Sequence, residues 1–138
     1  MEKIQFHVED ISQITFDENV IRTELNKLIK NERKIVGEIN IIFCSDNYIL
    51  EINKKYLNHD YFTDIITFDY VDDNIISGDL FISKDRISEN ANTFAVNFPE
   101  ELKRVIFHGV LHLIGYGDKT NEEKVVMKEK EEFYLNIK

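Results

Sequence analysis

Residues 107–119 read FHGVLHLIGYGDK. His108 and His112 recur four residues apart in an otherwise apolar run. On a helix this puts both imidazoles on one face, with Cβ atoms about 5–6 Å apart, so both can reach a single ion. Two imidazoles alone hold a transition metal poorly; a catalytic site usually has a third protein ligand and an open fourth position. Gly115 lets the chain turn at the helix end, and Asp118 follows three residues later with an anionic oxygen. A buried helix can also carry satisfied core histidines. The turn glycine and a third ligand type in register favour the metal.

The spacing H-x-x-x-H-x-x-G-x-x-D follows the ligand layout of metzincin-type sites, with aspartate in the last place. Gly109 departs from it. In H-E-x-x-H the residue after the first histidine is the glutamate that serves as general base, and glycine cannot do that. Within a helix, glycine costs about 1 kcal/mol relative to alanine, so it needs a reason. Close packing against another backbone is one, and room for a bulky substrate beside the metal is the other.

Working outward, Pro99 with Glu100 and Glu101 marks a helix start, proline in the first turn and acids at the positive end of the dipole. That helix should run to about Ile114. Thr120 and Glu123 form a capping box for a last, strongly charged helix, in which EKEE (129–132) reads as a solvated face. Toward the N-terminus, IQFHV (4–8) alternates as a strand, with His7 opposite Phe6 and Val8. Asp17 is placed to cap a helix, with Phe16 and Ile21 as its hydrophobic staple. The stripe of Ile21, Leu25, Leu28 and Ile29 continues that helix to about Arg33. GEINIIFCS (37–45) reads as a buried strand. Ser45 or Asp46 caps a helix through Ile49, Ile52 and Tyr56.

DIITFDYV (64–71) and GDLFIS (78–83) are strands close enough to be hairpin neighbours, which predicts a mixed sheet. Helical spacing at Ile87, Ala91, Phe94 and Ala95 predicts a further helix over SKDRISENANTFAV (83–96). The expected fold is α+β: one domain over 1–138, a mixed four-stranded β-sheet packed with about five α-helices, one of them the metal-binding helix.

Composition sets limits on the rest. The chain has 138 residues, 43% of them hydrophobic and 12% aromatic, enough for one real core. No run of about 18 uncharged apolar residues occurs, which excludes a transmembrane span. MEKIQFHVED lacks the features of a secretory signal. Cys44 stands alone in an apolar run, which suits a reducing cytoplasm and a buried core thiol. The net charge of −9 argues against generic nucleic-acid binding, since a phosphate backbone is repelled by an anionic surface. Any RNA contact must come from a local site.

HGVLHLIGYGD (108–118) resembles the signature HGxLHLxGYDH of the YbeY family of endoribonucleases, matching every constrained position except the last two. NKKYLNHDYFTDIITF (53–68) is similar to that family's NxxYRxKDxPTDVLSF, and GDLFIS (78–83) to its GDI-type strand. The resemblance implies a mixed four-stranded sheet with surrounding helices. It also implies a cytoplasmic, single-strand-specific, metal-dependent endoribonuclease in maturation of the small-subunit ribosomal RNA 3′ end and in ribosome quality control. Ribosomal RNA and ribosome or assembly factors would be its partners, and no membrane is involved.

The implied ligands are His108, His112 and Asp118, holding one divalent ion, zinc by expectation. The family's third histidine falls at Asp118, and the aspartate before it at Gly117. Two-His-one-carboxylate zinc sites are catalytically competent. Leu57 stands where the family has an arginine thought to contact RNA, and His59 where it has a lysine. His59 and Arg104, the latter one turn before His108, are therefore the candidate substrate contacts, with Lys54, Lys55 and Lys119 nearby in sequence. Asp64 and Asp79 could orient the histidines or serve as structural turn residues. Two rival readings stand beside this one: a zincin-like metallopeptidase, and a metal-stabilised ribosome-assembly partner without catalysis.

Overall fold

A computed structural model of the chain describes residues 3–56 and 64–136. In chain order the elements are β1 (Ile4–Val8), α1 (Glu18–Asn31), β2 (Ile35–Cys44), α2 (Asp46–Tyr56), β3 (Ile65–Asp69), β4 (Ile75–Ser83), α3 (Lys84–Thr93), α4 (Phe98–Ile114) and α5 (Asn121–Asn136). The strands lie in the order β1-β2-β4-β3. β1 and β4 flank β2 in parallel, and β3 closes the edge antiparallel to β4. Among the described residues the chain forms the expected mixed sheet with five helices.

Alternation along the strands splits the sheet into two faces. Ile39, Ile41 and Phe43 of β2, with Leu80 and Ile82 of β4, point into the main core. Each such side chain contributes about 1.5–3 kcal/mol on burial. Cys44 and Ile66 point the other way, into a smaller cluster closed by Ile49 and Ile52 of α2. There, burial and the charges of Asp10, Glu9, Asp46 and Asp85 push the Cys44 thiol up to about 12. It is an inert core thiol.

Helix α4 lies against the main face. Asn97 caps it by accepting from the Glu100 N–H at 2.9 Å, Pro99 sits in its first turn, and Gly115 ends it at φ 126°. Leu102, Val105, Ile106, Val110, Leu111 and Leu113 are buried, whereas Arg104, His108 and His112 are only half-buried. These three follow one another at intervals of four, so a single polar stripe runs along an otherwise enclosed helix.

Gly109 faces the sheet. A Cβ there would lie 2.6 Å from Ile65 Cδ1 and 3.0 Å from Leu80 Cδ1. Close packing therefore explains the glycine, against side chains of β3 and β4 and not against a backbone. It opens no room beside the histidines.

Expectations about the ends of β2 and α3 need correction, and the open choice of cap for α2 is settled as Ser45. β2 begins at Ile35, before Gly37, and its register with β4 shifts between Val36 and Ile39. A Cβ on Gly37 would meet Ile76 O at 2.7 Å. Ser45 is the residue that caps α2, its Oγ accepting from the Tyr48 N–H at 3.2 Å. α3 stops at Thr93 because Ala95 takes a left-handed conformation, φ 55°. Phe94 is thereby turned out, 59% exposed, instead of continuing the stripe of Ile87 and Ala91. The Asp17 cap and the Thr120–Glu123 capping box form as expected. No helix among the described residues is long and apolar enough to cross a membrane.

Candidate metal centre

The stripe on α4 meets the turn that follows it. His108 Nε2 and His112 Nε2 lie 3.0 Å apart, and Asp118 Oδ2 lies 3.3 Å from each. Among the described residues this is the group of three able to hold a metal. The three atoms fit an ion's requirements. Around tetrahedral zinc, with bonds of about 2.0–2.1 Å, neighbouring ligand atoms are roughly 3.3 Å apart. Lone pairs of two imidazoles and a carboxylate this close repel one another unless a cation lies among them.

The tautomer of His108 is set from the far side. Glu131 Oε2 lies 2.5 Å from His108 Nδ1, so the proton sits on Nδ1 and the Nε2 lone pair faces the convergence point. A carboxylate behind a ligating histidine orients the ring and raises its basicity. Burial disfavours an imidazolium here, but the hydrogen bond and charge of Glu131, with Asp118 and Asp64, outweigh it and raise the His108 pKa above the ordinary value.

Glu131 is itself held. Arg104 Nη1 reaches its Oε1 at 3.2 Å, while the rest of the guanidinium grips Glu101, with Nε to Oε1 at 2.8 Å. Glu101 is 2% exposed and Glu131 6%, so this is a charge network inside the protein, where paired partners matter most. The reading of EKEE as a solvated face is wrong at Glu131, which turns inward under α4. One signal could have found it: Met127, Glu131 and Tyr134 follow at intervals of four and three, and all three are buried.

The turn carrying Asp118 is pinned at both ends. The Tyr116 hydroxyl donates to Glu32 Oε1 at 2.5 Å. Lys130 Nζ reaches Glu32 Oε2 at 3.2 Å, and the Tyr134 hydroxyl donates to the same oxygen. On the other side, Glu123 Oε1 accepts from the N–H groups of Lys119 and Thr120, at 3.2 and 3.0 Å. A Cβ on Gly117 would lie 2.4 Å from Glu123 Oε2, the far end of an exposed side chain that would have to swing aside for a larger residue.

Of the other sequence candidates, none within the described residues joins this group. Leu57 and His59 lie outside the described residues. Asp79 belongs to the face of the sheet away from α4, where its Oδ1 accepts from Asn40 Nδ2 at 3.1 Å, so it is structural and does not orient the histidines. His7 Nε2 lies 3.0 Å from Asn40 Oδ1 on that same outer face. Asp64 acts on His108 through charge alone among the interactions seen, and its carbonyl accepts from the Ser83 N–H. Lys54 pairs with Glu51 at 3.9 Å, and Lys55 lies 5.3 Å from the Tyr56 ring centroid. Both are on α2, across the sheet from the site.

Known proteins share this arrangement of segments. The model of the family described as endoribonuclease YbeY matches residues 3–137. The endoribonuclease YbeY of Flavobacterium psychrophilum is 52% identical over 113 residues, covering 82% of this chain and 81% of that protein. That of Parabacteroides distasonis is 46% identical over 134 residues, 97% of this chain and 94% of that one. In the solution structure of TM1509 from Thermotoga maritima the same fold recurs at a TM-score of 0.67 and 27% identity, covering 96% of this chain and 86% of that one. The chain belongs to the endoribonuclease YbeY family.

Proposed function

We propose that this chain is a zinc-dependent endoribonuclease specific for single-stranded RNA, acting in the cytoplasm on the 3′ end of small-subunit ribosomal RNA and in ribosome quality control, alongside ribosome or assembly factors. The observation that carries the metal dependence is the convergence of His108 Nε2, His112 Nε2 and Asp118 Oδ2 within 3.0–3.3 Å of one another. A bound zinc ion would supply Lewis-acid charge to the scissile phosphate and acidify water.

The protein's own groups do the rest. Glu131 keeps His108 in the Nδ1–H form, and Arg104 keeps Glu131 in place. Asp118 adds a negative charge to the ligand set, leaving the centre less positive than three imidazoles would. Arg104 has its guanidinium shared between Glu101 and Glu131, so we assign it to positioning and leave phosphate contact to other cations, with His59 a proposed one. A peptidase reading finds no base at Gly109, which is packed against Ile65 and Leu80.

Incubating the purified protein with single-stranded ribosomal RNA and with casein, with and without a chelator, tests the proposal. Expected is chelator-sensitive RNA cleavage, lost in His112→Ala, and no action on casein. Chelator-insensitive cleavage would sink the metal dependence, and intact RNA would leave the non-catalytic assembly role.

A further inference from the structure

Beside His108 and Asp118, a cavity of about 500 Å³ opens between the end of α3, α4 and α5. This is the size class of small-ligand pockets. From the α3 side it is lined by Phe94, turned out of its helix by the left-handed Ala95. From the α5 side it is lined by Lys124 and Lys128, one helical turn apart, together with the carboxylates of Glu131 and Glu132.

These two lysines differ from Arg104 and Lys130 nearby. Arg104 is held by two carboxylates, and Lys130 by Glu32. The ammonium groups of Lys124 and Lys128 make no ion pair or hydrogen bond with any described residue. Two like charges at i and i+4 disfavour the helix that carries them, and a bound anion relieves that repulsion. In a chain of net charge −9, a cationic pair beside the metal ligands is the local attraction that RNA needs. Phe94 completes the chemistry. An exposed ring at the edge of a cavity is a platform for an unstacked base, and the bases of single-stranded RNA are available for such stacking.

We propose that this cavity is the subsite for a nucleotide adjoining the scissile phosphate of single-stranded RNA, its base stacked on Phe94 and its phosphate held by Lys124 and Lys128. The subsite rests on the endoribonuclease reading above and gives it a substrate preference. A base paired in a duplex is already stacked, so it cannot also occupy Phe94.

The test is single-turnover cleavage of a fluorescein-labelled single-stranded RNA dodecamer by the zinc-loaded full chain, over a range of protein and salt concentrations. Phe94→Ala should raise the half-saturating protein concentration about tenfold, as expected for one lost base stack, with a much smaller change in the rate at saturation. Phe94→Trp should restore it. The double variant Lys124→Gln/Lys128→Gln should lower the slope of log affinity against log salt by about 0.7, from the one phosphate that the two lysines hold. Zinc content should be unchanged in each, and Lys27→Gln on α1 should behave as the wild type. Wild-type half-saturation in Phe94→Ala, together with an unchanged salt slope in the lysine variant, would overturn the subsite and leave the nuclease reading intact. A wild-type protein that does not cleave the RNA would overturn both.

Discussion

Glu131 Oε2 lies 2.5 Å from His108 Nδ1, across 23 residues of sequence. That contact ties the last helix to the metal-binding one. α5 supplies Glu131 to the histidine, Lys130 and Tyr134 to Glu32, and Glu123 to the turn that carries Asp118. The third ligand and the orientation of the first thus depend on the same helix.

If Glu131 sets the ring of His108, Glu131→Gln should weaken metal binding about 10–100-fold, the usual range for losing such a partner. Competition against a chromophoric chelator measures it. An affinity equal to that of the wild type would mean that the contact is only structural.

Asp118 is the ligand whose identity departs from the family's signature. Asp118→Ala should lower zinc affinity by more than about 100-fold, beyond the range for an outer partner. Asp118→His should retain a stoichiometric ion. Full occupancy in Asp118→Ala, read by elemental analysis of the purified protein, would remove the aspartate from the ligand set.

Gly109→Ala pits two effects against each other. Alanine gains about 1 kcal/mol of helix propensity, but the added Cβ would lie 2.6 Å from Ile65 Cδ1 in a closed core, and overpacking costs about 1–3 kcal/mol. Net destabilisation of roughly 1 kcal/mol is expected, measured by urea unfolding. A gain in stability would show that β3 and α4 are loosely packed.

Glu32 makes stability depend on pH. Burial alone would raise its pKa, but hydrogen bonds from Tyr116, Tyr134 and Lys130 outweigh burial and hold it below the ordinary 4.5. A depressed carboxyl contributes stability that is complete above the unfolded value and lost as pH falls through the folded one. Glu32→Gln should therefore cost about 1–3 kcal/mol at pH 7, the range for bonds to a charged group. The gap from wild type should narrow below about pH 4.5. Urea unfolding of both proteins at several pH values checks it; a gap independent of pH would contradict the charged network.

Most of α4 was legible because its signals are local. Asn97, Pro99 and Gly115 mark its ends, and the interval from His108 to His112 marks its open face. The mixed sheet was legible from the short connection between β3 and β4. Glu131 was missed, because charges surround α5 and only the spacing of Met127, Glu131 and Tyr134 marks which carboxylate turns inward. Its partner is fixed only when α4 and α5 pack. Phe94 was misread for a related reason: the period places it on the α3 stripe, and only the backbone turn at Ala95 takes it off. Arg104 was correctly placed on the face of His108, but its two carboxylate partners could not be inferred from one strand of sequence.

The most direct measurement is a zinc titration of chelator-stripped protein followed by cleavage of single-stranded ribosomal RNA. Activity should rise in proportion to added zinc, level off at one equivalent, and stay absent throughout in His112→Ala. Full-rate cleavage by the stripped protein, or a titration of His112→Ala that matches the wild type, would contradict a metal centre built on His108, His112 and Asp118.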